Sequence, residues 1–477
     1  MPTTDVPMAG GPMTYVSTRG RAPELDFADV LLAGLATDGG LYVPRSWPQL
    51  DLSSLQGLPY ADVAVQVMWP FVAGSIERDR FEQIVADAYS TFVDDDVVPV
   101  RSLGDRLWLA EIFHGPTLAF KDIALQLVGR LFNEVLARRS SRVTVLGATS
   151  GDTGSAAIDG LANSPYVDVV ILFPHGRVSE VQRRQMTTVT APNVHAVAVD
   201  GTFDDCQDLV KAAFADVEFR DGVGLSAVNS INWARVMAQI VYYVTSSLHV
   251  AAASGDDSAP SFVVPTGNFG NIFAGWVAKQ MGLPVDRLVI ASNSNDILTR
   301  FFTSSTMAME DVVATSSPSM DIQVSSNLER LLFEAHDRNG AVVSEMLSAF
   351  RRDGTVTVSP EVHARLTAEF DCGSLNESDV DDVMARYWSQ QHVLLDPHTA
   401  VGVGVAERFI QTHPTGPVIS LSTAHPAKFL AAVEAATGQH PPLPTHLADL
   451  LERPERVHRA PNDLAAVKDL VHELREA

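Results

Sequence analysis

The order of hydrophobic and polar positions predicts an α/β fold. Short runs rich in β-branched residues alternate with longer stretches in which apolar residues recur at helical spacing. This alternation is typical of parallel sheets that are covered by helices on both faces. The predicted strands are 142–148, 167–173, 194–201, 261–267, 287–292 and 417–423. The predicted helices are 154–162, 179–189, 204–217, 232–248 and 270–282.

Other segments of the chain lack this alternation. Residues 14–96 show no strand pattern and are predicted to be mostly helical. Residues 251–261 have the composition of a surface loop, and residues 314–327 form a long connection of a kind that is often functional. Residues 1–12 are predicted to be a loose tail.

Composition and charge restrict the class of protein. The chain has 477 residues, enough for two or three domains, and 58 acidic against 34 basic residues, a net charge of −24. Such an acidic chain is poorly suited to bind nucleic acid or an anionic membrane surface. Two cysteines build no disulfide framework, which fits a reducing cytoplasm, and we expect no membrane span. The N-terminus has neither the basic residues nor the apolar segment of a secretory signal.

Two common kinds of catalytic centre have little support. The 14 histidines are scattered, and neither His-Glu-x-x-His nor Cys-x-x-Cys occurs, so we expect no metal. A Gly-x-Ser-x-Gly turn is also absent, which weakens a hydrolase triad. The acidic residues in 203–207 are interpreted as a charge cluster that starts a helix.

A single lysine in an apolar setting suggests covalent chemistry. Only five of the 34 basic residues are lysines, and Lys121 ends the apolar stretch 111–122. Burial of an ammonium is costly, so a buried lysine favours a chemical role. An amine can lose its proton and attack a carbonyl, whereas a guanidinium effectively cannot.

Two glycine-rich loops follow predicted strands and begin helices, where anions bind readily. In the first, Ser150, Gly151, Asp152 and Thr153 offer amides and hydroxyls to a carboxylate, although the loop is as easily a plain connection. The second loop has two glycines that let the backbone approach a ligand and two asparagines that add donors, which favours the phosphate of a cofactor. Its residues are Gly267, Asn268, Phe269, Gly270 and Asn271. A turn with an asparagine cap is the alternative.

A third position, Thr423, ends the last predicted strand. A hydroxyl there can hydrogen-bond a ring nitrogen without charging it, whereas the alternative is an N-cap for the helix near Pro426. A lysine, a carboxylate seat, a phosphate cradle and a hydroxyl at a strand end together fit pyridoxal phosphate held as a Schiff base.

The motifs that carry these residues resemble the threonine synthase family, in the branch related to the yeast and enterobacterial enzymes. The matching segments are TYVSTRG, GLATDGGLYVP, HGPTLAFKD, GATSGDTGSAA, FDDCQ, NSINWARVMAQIVYY, PTGNFGN, SSNLERLLF and TAHPAKF. They span residues 13 to about 470, nearly the whole chain.

The resemblance implies a tryptophan-synthase-β-like fold, type II among pyridoxal phosphate enzymes, with an additional N-terminal helical domain. It implies conversion of O-phospho-L-homoserine and water to L-threonine and phosphate. Lys121 would carry the cofactor and move protons at the substrate's α and β carbons. The loop 267–271 would hold the cofactor phosphate, Thr423 would face the pyridine nitrogen, and residues 150–153 would take the substrate carboxylate.

The substrate phosphate needs dedicated cations in so acidic a chain. The candidates are Arg235 and Lys428, with help from Asn232. Two alternatives stay open: a pyridoxal phosphate eliminase acting on another amino acid, and a non-catalytic relative that only binds. The protein would be a monomer or a homodimer.

The expected domains follow from the position of the loops. They are an N-terminal helical domain (1–96), a large cofactor-binding domain (97–130 and 225–440), a small mobile domain (131–224) and a C-terminal helical tail (441–477) packed on the large domain. Closure of the small domain over the substrate would exclude water.

Overall fold

The structure is a computed structural model that describes residues 11–476. Most of the predicted tail, residues 1–10, lies outside this description. The strands are β1 Tyr15–Ser17, β2 Tyr42–Pro44, β3 Val100–Gly104, β4 Leu107–Glu111, β5 Val143–Ala148, β6 Val167–Pro174, β7 Val194–Asp200, β8 Leu225–Ser226, β9 Ser261–Pro265, β10 Leu288–Ser292, β11 Thr306–Ala308, β12 Thr355–Thr357, β13 Phe370–Ser374, β14 Val418–Ser422 and β15 His458–Pro461. The helices are α1 Phe27–Ala33, α2 Tyr60–Val72, α3 Arg78–Tyr89, α4 Lys121–Arg139, α5 Asp152–Leu161, α6 Glu180–Thr187, α7 Phe203–Ala215, α8 Val217–Gly222, α9 Trp233–Ser254, α10 Gly270–Gln280, α11 Ile297–Ser304, α12 Leu328–Ala335, α13 Gly340–Asp353, α14 Pro360–Thr367, α15 Glu377–Gln391, α16 Pro397–Thr412, α17 Leu430–Thr437 and α18 Leu464–Glu476.

The larger sheet has six strands in the order β13-β10-β9-β14-β4-β3. All neighbours are parallel except β3, which runs antiparallel to β4. Because β9 and β14 are neighbours, the residues that follow them, Gly267 and Thr423, meet at one edge of this sheet. The sheet thereby brings two of the predicted binding segments together.

The smaller sheet has five parallel strands in the order β15-β7-β6-β5-β8. Every residue of β6, 167–174, is buried, as expected for a parallel strand with helices on both faces. The loop 150–153 follows β5 and begins α5. The alternating pattern therefore predicted both sheets, although it missed several short strands.

The C-terminal segment packs differently from the prediction. Strand β15 pairs with β7 of the smaller sheet, and Val467 and Val471 of α18 are buried in the same apolar cluster as Leu209 of α7. This packing pairs the edge of β7 and covers apolar side chains that would otherwise meet water. The tail thus belongs in part to the smaller sheet and not to the larger domain alone.

The predicted boundary at residue 130 also needs correction, because α4 runs unbroken from Lys121 to Arg139. Strand β8, which was assigned to the large domain, pairs with β5 of the smaller sheet. Residues 251–254, assigned to a surface loop, are the last turn of α9. The division of the chain into four domains otherwise stays a prediction.

The expectation of no membrane span bears on helix α9, which has 22 residues. By length and composition alone Trp233–Ser254 qualifies, although 67% of its most apolar window is buried inside the protein. Trp233 at its start packs against Tyr15, Trp47 and Phe71 of the N-terminal region. The burial is that of a core helix, which joins the N-terminal helices to the rest of the protein.

Helices α4 and α5 cross in close contact through two glycines. A Cβ atom on Gly129 would lie 1.9 Å from the carbonyl oxygen of Gly160. A Cβ on Gly160 would lie 2.4 Å from the carbonyl oxygen of Leu125. Because both obstacles are backbone atoms, only glycine fits at this crossing. The crossing also fixes the distance between Lys121 and Asp152, which begin the two helices.

We therefore expect Gly129→Ala to lower the free energy of unfolding by about 1–3 kcal/mol, because the two helices must separate. Denaturant unfolding followed by circular dichroism measures this change. Gly222→Ala is the matched control, since no atom lies within 4 Å of its added Cβ. Equal stability of the two variants would contradict the packing described here.

Candidate active site

Lys121 is the first residue of α4 and is 8% exposed. Its Nζ donates to Oδ2 of Asp152 at 3.0 Å and to Oγ of Ser319 at 3.3 Å. Burial lowers the pKa of Lys121, and the Asp152 carboxylate offsets part of this effect. The amine is therefore closer to its reactive, neutral form than an exposed lysine is.

Asp152 holds a second buried lysine. Nζ of Lys428 lies 3.0 Å from Asp152 Oδ1 and donates to the carbonyl of Thr117 at 2.7 Å. The Gln182 amide also donates to Asp152 Oδ1, at 2.8 Å. Burial alone would raise the pKa of Asp152, but the two ammonium groups and this amide bring it well below its usual range. One carboxylate thus orders two of the chain's five lysines.

Thr423 lies directly beside the lysine. The backbone N–H of Phe120, the residue before Lys121, donates to the carbonyl of Thr423 at 2.9 Å. The alternative role for Thr423 as a helix cap is wrong, because His425 caps the short 3₁₀ helix Pro426–Phe429. Among the residues that the structure describes, the Thr423 hydroxyl has no hydrogen-bond partner. It is therefore free for a ligand.

The glycine–asparagine loop forms a cradle at the start of α10. Phe269 has a left-handed backbone (φ 63°), and its ring packs on Phe302 and Phe370. Its side chain is therefore part of the core, and its backbone is the part that forms the loop. The hydroxyls of Tyr242 and Tyr243 donate to Asn271 Oδ1 at 2.6 and 2.9 Å. The other end of this amide, Nδ2, is buried and has no partner within residues 11–476.

An unpaired buried donor at a helix N-terminus fits an anionic group. Asn271 is the second residue of α10, so its unpaired Nδ2 belongs to the same first turn as the amides that have no intrahelical partner. These residues therefore fit the phosphate of pyridoxal phosphate, and an asparagine cap alone does not explain the unpaired Nδ2.

The segment that leads into α12 holds the cradle by hydrogen bonds to its backbone. Ser325 Oγ donates to the carbonyl of Gly267 at 2.7 Å, and Asn327 Nδ2 donates to that of Asn268 at 2.9 Å. A Cβ on Gly267 would lie 2.7 Å from the carbonyl oxygen of Ser319, whereas the nearest atom to one on Gly270 would be Nδ2 of Asn327 at 3.2 Å. Gly267 is therefore the tighter of the two glycines.

The first glycine loop is built around Thr149. Its Oγ1 accepts hydrogen bonds from the backbone N–H groups of Gly151 at 3.0 Å and Gly154 at 2.9 Å. This bonding leaves the amides of Asp152 and Thr153 in the first turn of α5, where no intrahelical partner exists. The Asp152 carboxylate, however, repels another carboxylate, so only the backbone of that residue fits the predicted role. Ser150 and Thr153 are half-buried at the loop surface.

The three residues predicted to meet the substrate phosphate have different surroundings. Arg235 is 2% exposed, and its Nη1 donates to the carbonyl of Val228 at 3.1 Å. Its Nε is buried with no partner in the described part of the chain, and burial lowers its pKa to about 10. Lys428 is already paired with Asp152.

The prediction for Asn232 is wrong. Its Oδ1 caps α9 by accepting from Ala234 N at 3.0 Å, and its Nδ2 donates to the Leu31 carbonyl at 2.8 Å. The oxygen of this amide thus caps its own helix, its nitrogen ties α9 to the N-terminal region, and the residue is fully buried. A polar residue before a helical pattern is often a cap, and that signal was present in the sequence.

Four polar residues of this site were not predicted from the sequence. Ser319 touches Lys121, Gln182 touches Asp152, and the pair Asp396 and His398 supports Ser319. The Asp-Pro-His-Thr run at 396–399 carries the signal of an acidic N-cap before a helix-starting proline, and Gln182 ends a Ser-x-x-Gln capping box. Ser319 lies in the long connection 314–327. None of these patterns points to the lysine, since tertiary packing brings the residues to it.

Comparison with known proteins assigns the class and the family. Residues 97–352 match the family described as pyridoxal-phosphate dependent enzyme, so fold and cradle define an enzyme of that class. Residues 14–89 match the threonine synthase N terminus, and residues 399–471 match the C-terminal threonine synthase family. The chain belongs to the threonine synthase family.

Individual relatives agree over nearly the whole chain. Threonine synthase of Pseudomonas aeruginosa is 52% identical, covering 96% of this chain and 98% of the relative. The yeast enzyme, from Saccharomyces cerevisiae, is 42% identical and covers 90% of each chain. The crystal structure of pyridoxal phosphate-bound threonine synthase from Brucella melitensis has a TM-score of 0.93 and 49% identity, covering 98% of this chain and 100% of that one. The resemblance and the fold class inferred from the motifs are thereby confirmed.

The buried charges predict a pH-dependent stability. Asp152→Asn should lower the free energy of unfolding at pH 7 by about 3–5 kcal/mol, because two ammonium groups lose their shared counter-ion. The folded-state pKa of Asp152 lies below its unfolded value, so its stabilisation is full above about pH 4 and is lost as the pH falls through the folded pKa.

Denaturant unfolding of the wild type and Asp152→Asn between pH 7 and pH 3 measures this difference. Asp208→Asn is the control, since Asp208 forms an exposed pair with Lys211 and should change stability by less than about 1 kcal/mol. A difference between wild type and Asp152→Asn that grows as the pH falls would contradict the assignment.

Proposed function

We propose that this chain converts O-phospho-L-homoserine and water to L-threonine and phosphate, with pyridoxal phosphate carried on Lys121. The observation that carries the proposal is the meeting of three groups at one end of the larger sheet. They are the buried amine of Lys121, the unpaired amide of Asn271 at the start of α10, and the free hydroxyl of Thr423. Membership of the threonine synthase family supports the reaction.

The chain's residues hold the cofactor at both ends. The backbone of Gly267, Asn268, Phe269 and Gly270 and the Nδ2 of Asn271 bind its phosphate at the positive end of α10. The Thr423 hydroxyl would face its ring nitrogen. When bound, pyridoxal phosphate supplies the electron sink for negative charge that develops on the substrate's carbons.

Lys121 moves the protons of the reaction. Because its pKa is lowered, a larger share of Lys121 is neutral than of an exposed lysine, and the neutral amine can take a proton from a substrate carbon and return it at the next one. Asp152 bonds the amine and holds it in place, and the same carboxylate also holds Lys428. The hydroxyl of Thr423, being neutral, does not charge the ring nitrogen as a carboxylate would.

Two further groups bind the substrate. The amides of Asp152 and Thr153, with the hydroxyls of Ser150 and Thr153, bind the α-carboxylate, and Gly151 lets the loop approach. Arg235 binds the phosphate, since it is a buried guanidinium with an unpaired Nε. Lys428 adds charge at longer range, because Asp152 already engages it.

The lobe that contains strands β5 to β8, residues 143–226, closes on the substrate in this proposal. The carboxylate loop is on the smaller sheet and the cofactor cradle is on the larger one, so closure brings both to the substrate and excludes water. The protein acts in the cytoplasm as a monomer or homodimer, a location that its two free cysteines favour.

A product assay tests the proposal. Purified protein with pyridoxal phosphate should release phosphate and threonine from phosphohomoserine in equal amounts, whereas Lys121→Ala should release neither. A 2-oxo acid in place of threonine would indicate an eliminase. No product from any form of the folded, cofactor-loaded protein would indicate a binding relative.

Thr423→Asp should keep the fold and the cofactor but change the products. An aspartate raises the pKa of the ring nitrogen and strengthens the electron sink, so side products such as those of transamination should increase at the expense of threonine. Chromatography of the products measures the ratio, and Thr423→Ser, which keeps a hydroxyl, is the control. Wild-type product ratios in Thr423→Asp would contradict the role.

Arg235→Lys should lower kcat/KM for phosphohomoserine by about 10- to 100-fold, because an ammonium cannot bind phosphate as a fork. Steady-state kinetics measure the loss. Arg106→Lys is the control: Arg106 also bonds carbonyl oxygens, at Gly416 and His413, but at the amino end of β14. An equal effect of both substitutions would show that Arg235 does not bind the substrate phosphate.

A further inference from the structure

The loop between α11 and α12 carries a segment that lies against the lysine. We define this strap as residues 315–321, whose middle is the 3₁₀ turn Pro318–Met320. Nδ2 of Asn293, just after β10, donates to Ser317 Oγ at 2.9 Å and to Asp321 Oδ1 at 2.8 Å. The Asp321 carboxylate in turn accepts from the N–H of Thr315 at 2.9 Å. Both ends of the strap are thus tied to one strand end of the larger sheet.

Ser319, at the centre of the strap, touches three parts of the site. Its Oγ lies 3.3 Å from Nζ of Lys121 and 3.5 Å from Oδ2 of Asp152. Its carbonyl oxygen lies so close to Gly267 that a side chain there would collide with it. Ser319 therefore contacts the lysine, its counter-ion and the cofactor cradle at once.

The backbone of Ser319 is held by a buried histidine. Its N–H donates to Nε2 of His398 at 3.3 Å, and Nδ1 of His398 lies 2.7 Å from Oδ2 of Asp396. A carboxylate only accepts, so Nδ1 carries the hydrogen and Nε2 is left as the acceptor that Ser319 needs. Asp396 is fully buried and His398 is 3% exposed, so this arrangement is fixed.

We propose that Ser319 is a further catalytic residue whose hydroxyl aims the free amine of Lys121, and that His398 and Asp396 are positioning residues acting through Ser319. The proposal rests on the proposed function. The hydroxyl accepts an N–H of Lys121 while Asp152 accepts another, which leaves the nitrogen lone pair of the neutral amine only one direction. No proton is consumed, since the hydroxyl only orients the group that transfers it.

The first test compares two serines of the same strap. Ser319→Ala should lower kcat by about tenfold and change KM by less than about threefold. The reason is that the amine of Lys121 loses its orientation, whereas the residues that bind the substrate are unchanged. Ser319→Thr, which retains a hydroxyl, should recover part of the rate. Ser316→Ala is the matched control, since the buried Ser316 hydroxyl has no partner among the described residues.

The second test measures the pKa of Lys121 in the absence of catalysis. The full chain stripped of cofactor should recapture pyridoxal phosphate at a rate that rises with the neutral fraction of Lys121, so the pH midpoint of capture reports its pKa. Loss of the Ser319 acceptor destabilises the ammonium and should move the midpoint down by about half a pH unit. The charged groups that face Lys121, namely Asp152, Lys428 and Arg235, are unchanged in this variant.

Substitutions of His398 test whether it positions Ser319. His398→Leu should shift the capture midpoint in the same direction as Ser319→Ala, and His398→Gln, whose amide oxygen can accept, should shift it less. If wild-type protein makes threonine while Ser319→Ala matches Ser316→Ala in both kcat and capture midpoint, the inference is wrong and the proposed function stands. If His398→Leu does not fold, the comparison of the two serines decides alone. Wild-type protein that makes no threonine would instead overturn the proposed function.

Discussion

The site depends on one buried carboxylate that holds two ammonium groups. Asp152 lies 3.0 Å from Nζ of both Lys121 and Lys428, and all three side chains are shielded from water. Two ammonium groups that share one carboxylate repel each other in a low-dielectric interior, so removal of the anion would leave both buried and unpaired. The three groups come from α5, α4 and the segment after β14, and the ion triad therefore joins the smaller sheet to the larger one.

This constraint explains features that are far from the lysine in sequence. The contact of Gly129 with Gly160 sets α4 and α5 close enough for the pairing of their first residues. Arg330 supports the cofactor cradle. It bonds the carbonyls of Tyr42 and Ile231 and the side chain of Asn327, which in turn holds Asn268. Burial lowers the pKa of Arg330 to about 9, a cost that its three oxygen partners offset.

Much of the fold was predictable because parallel strands buried on both faces leave a strong apolar signal. The six strands and five helices expected between 142 and 423 all occur. The missed strands lack that signal: β13 reads Phe-Asp-Cys-Gly-Ser, and β15 ends in a proline at the edge of the smaller sheet.

Asn232 shows how far the site residues can be predicted from the sequence, because whether a polar residue caps a helix or binds a ligand depends on what packs against it. The contact of Ser319 with His398 was beyond prediction for the same reason, since 79 residues separate these two groups, which meet only in the fold.

The central claim is that Lys121, and not its buried neighbour Lys428, carries the cofactor. Borohydride reduction of the purified protein loaded with pyridoxal phosphate attaches the cofactor permanently to the lysine that holds it, and peptide mass spectrometry then identifies that lysine. The account predicts the added mass on the peptide that contains Lys121 and an unmodified Lys428. Modification of Lys428, with Lys121 unmodified, would contradict it.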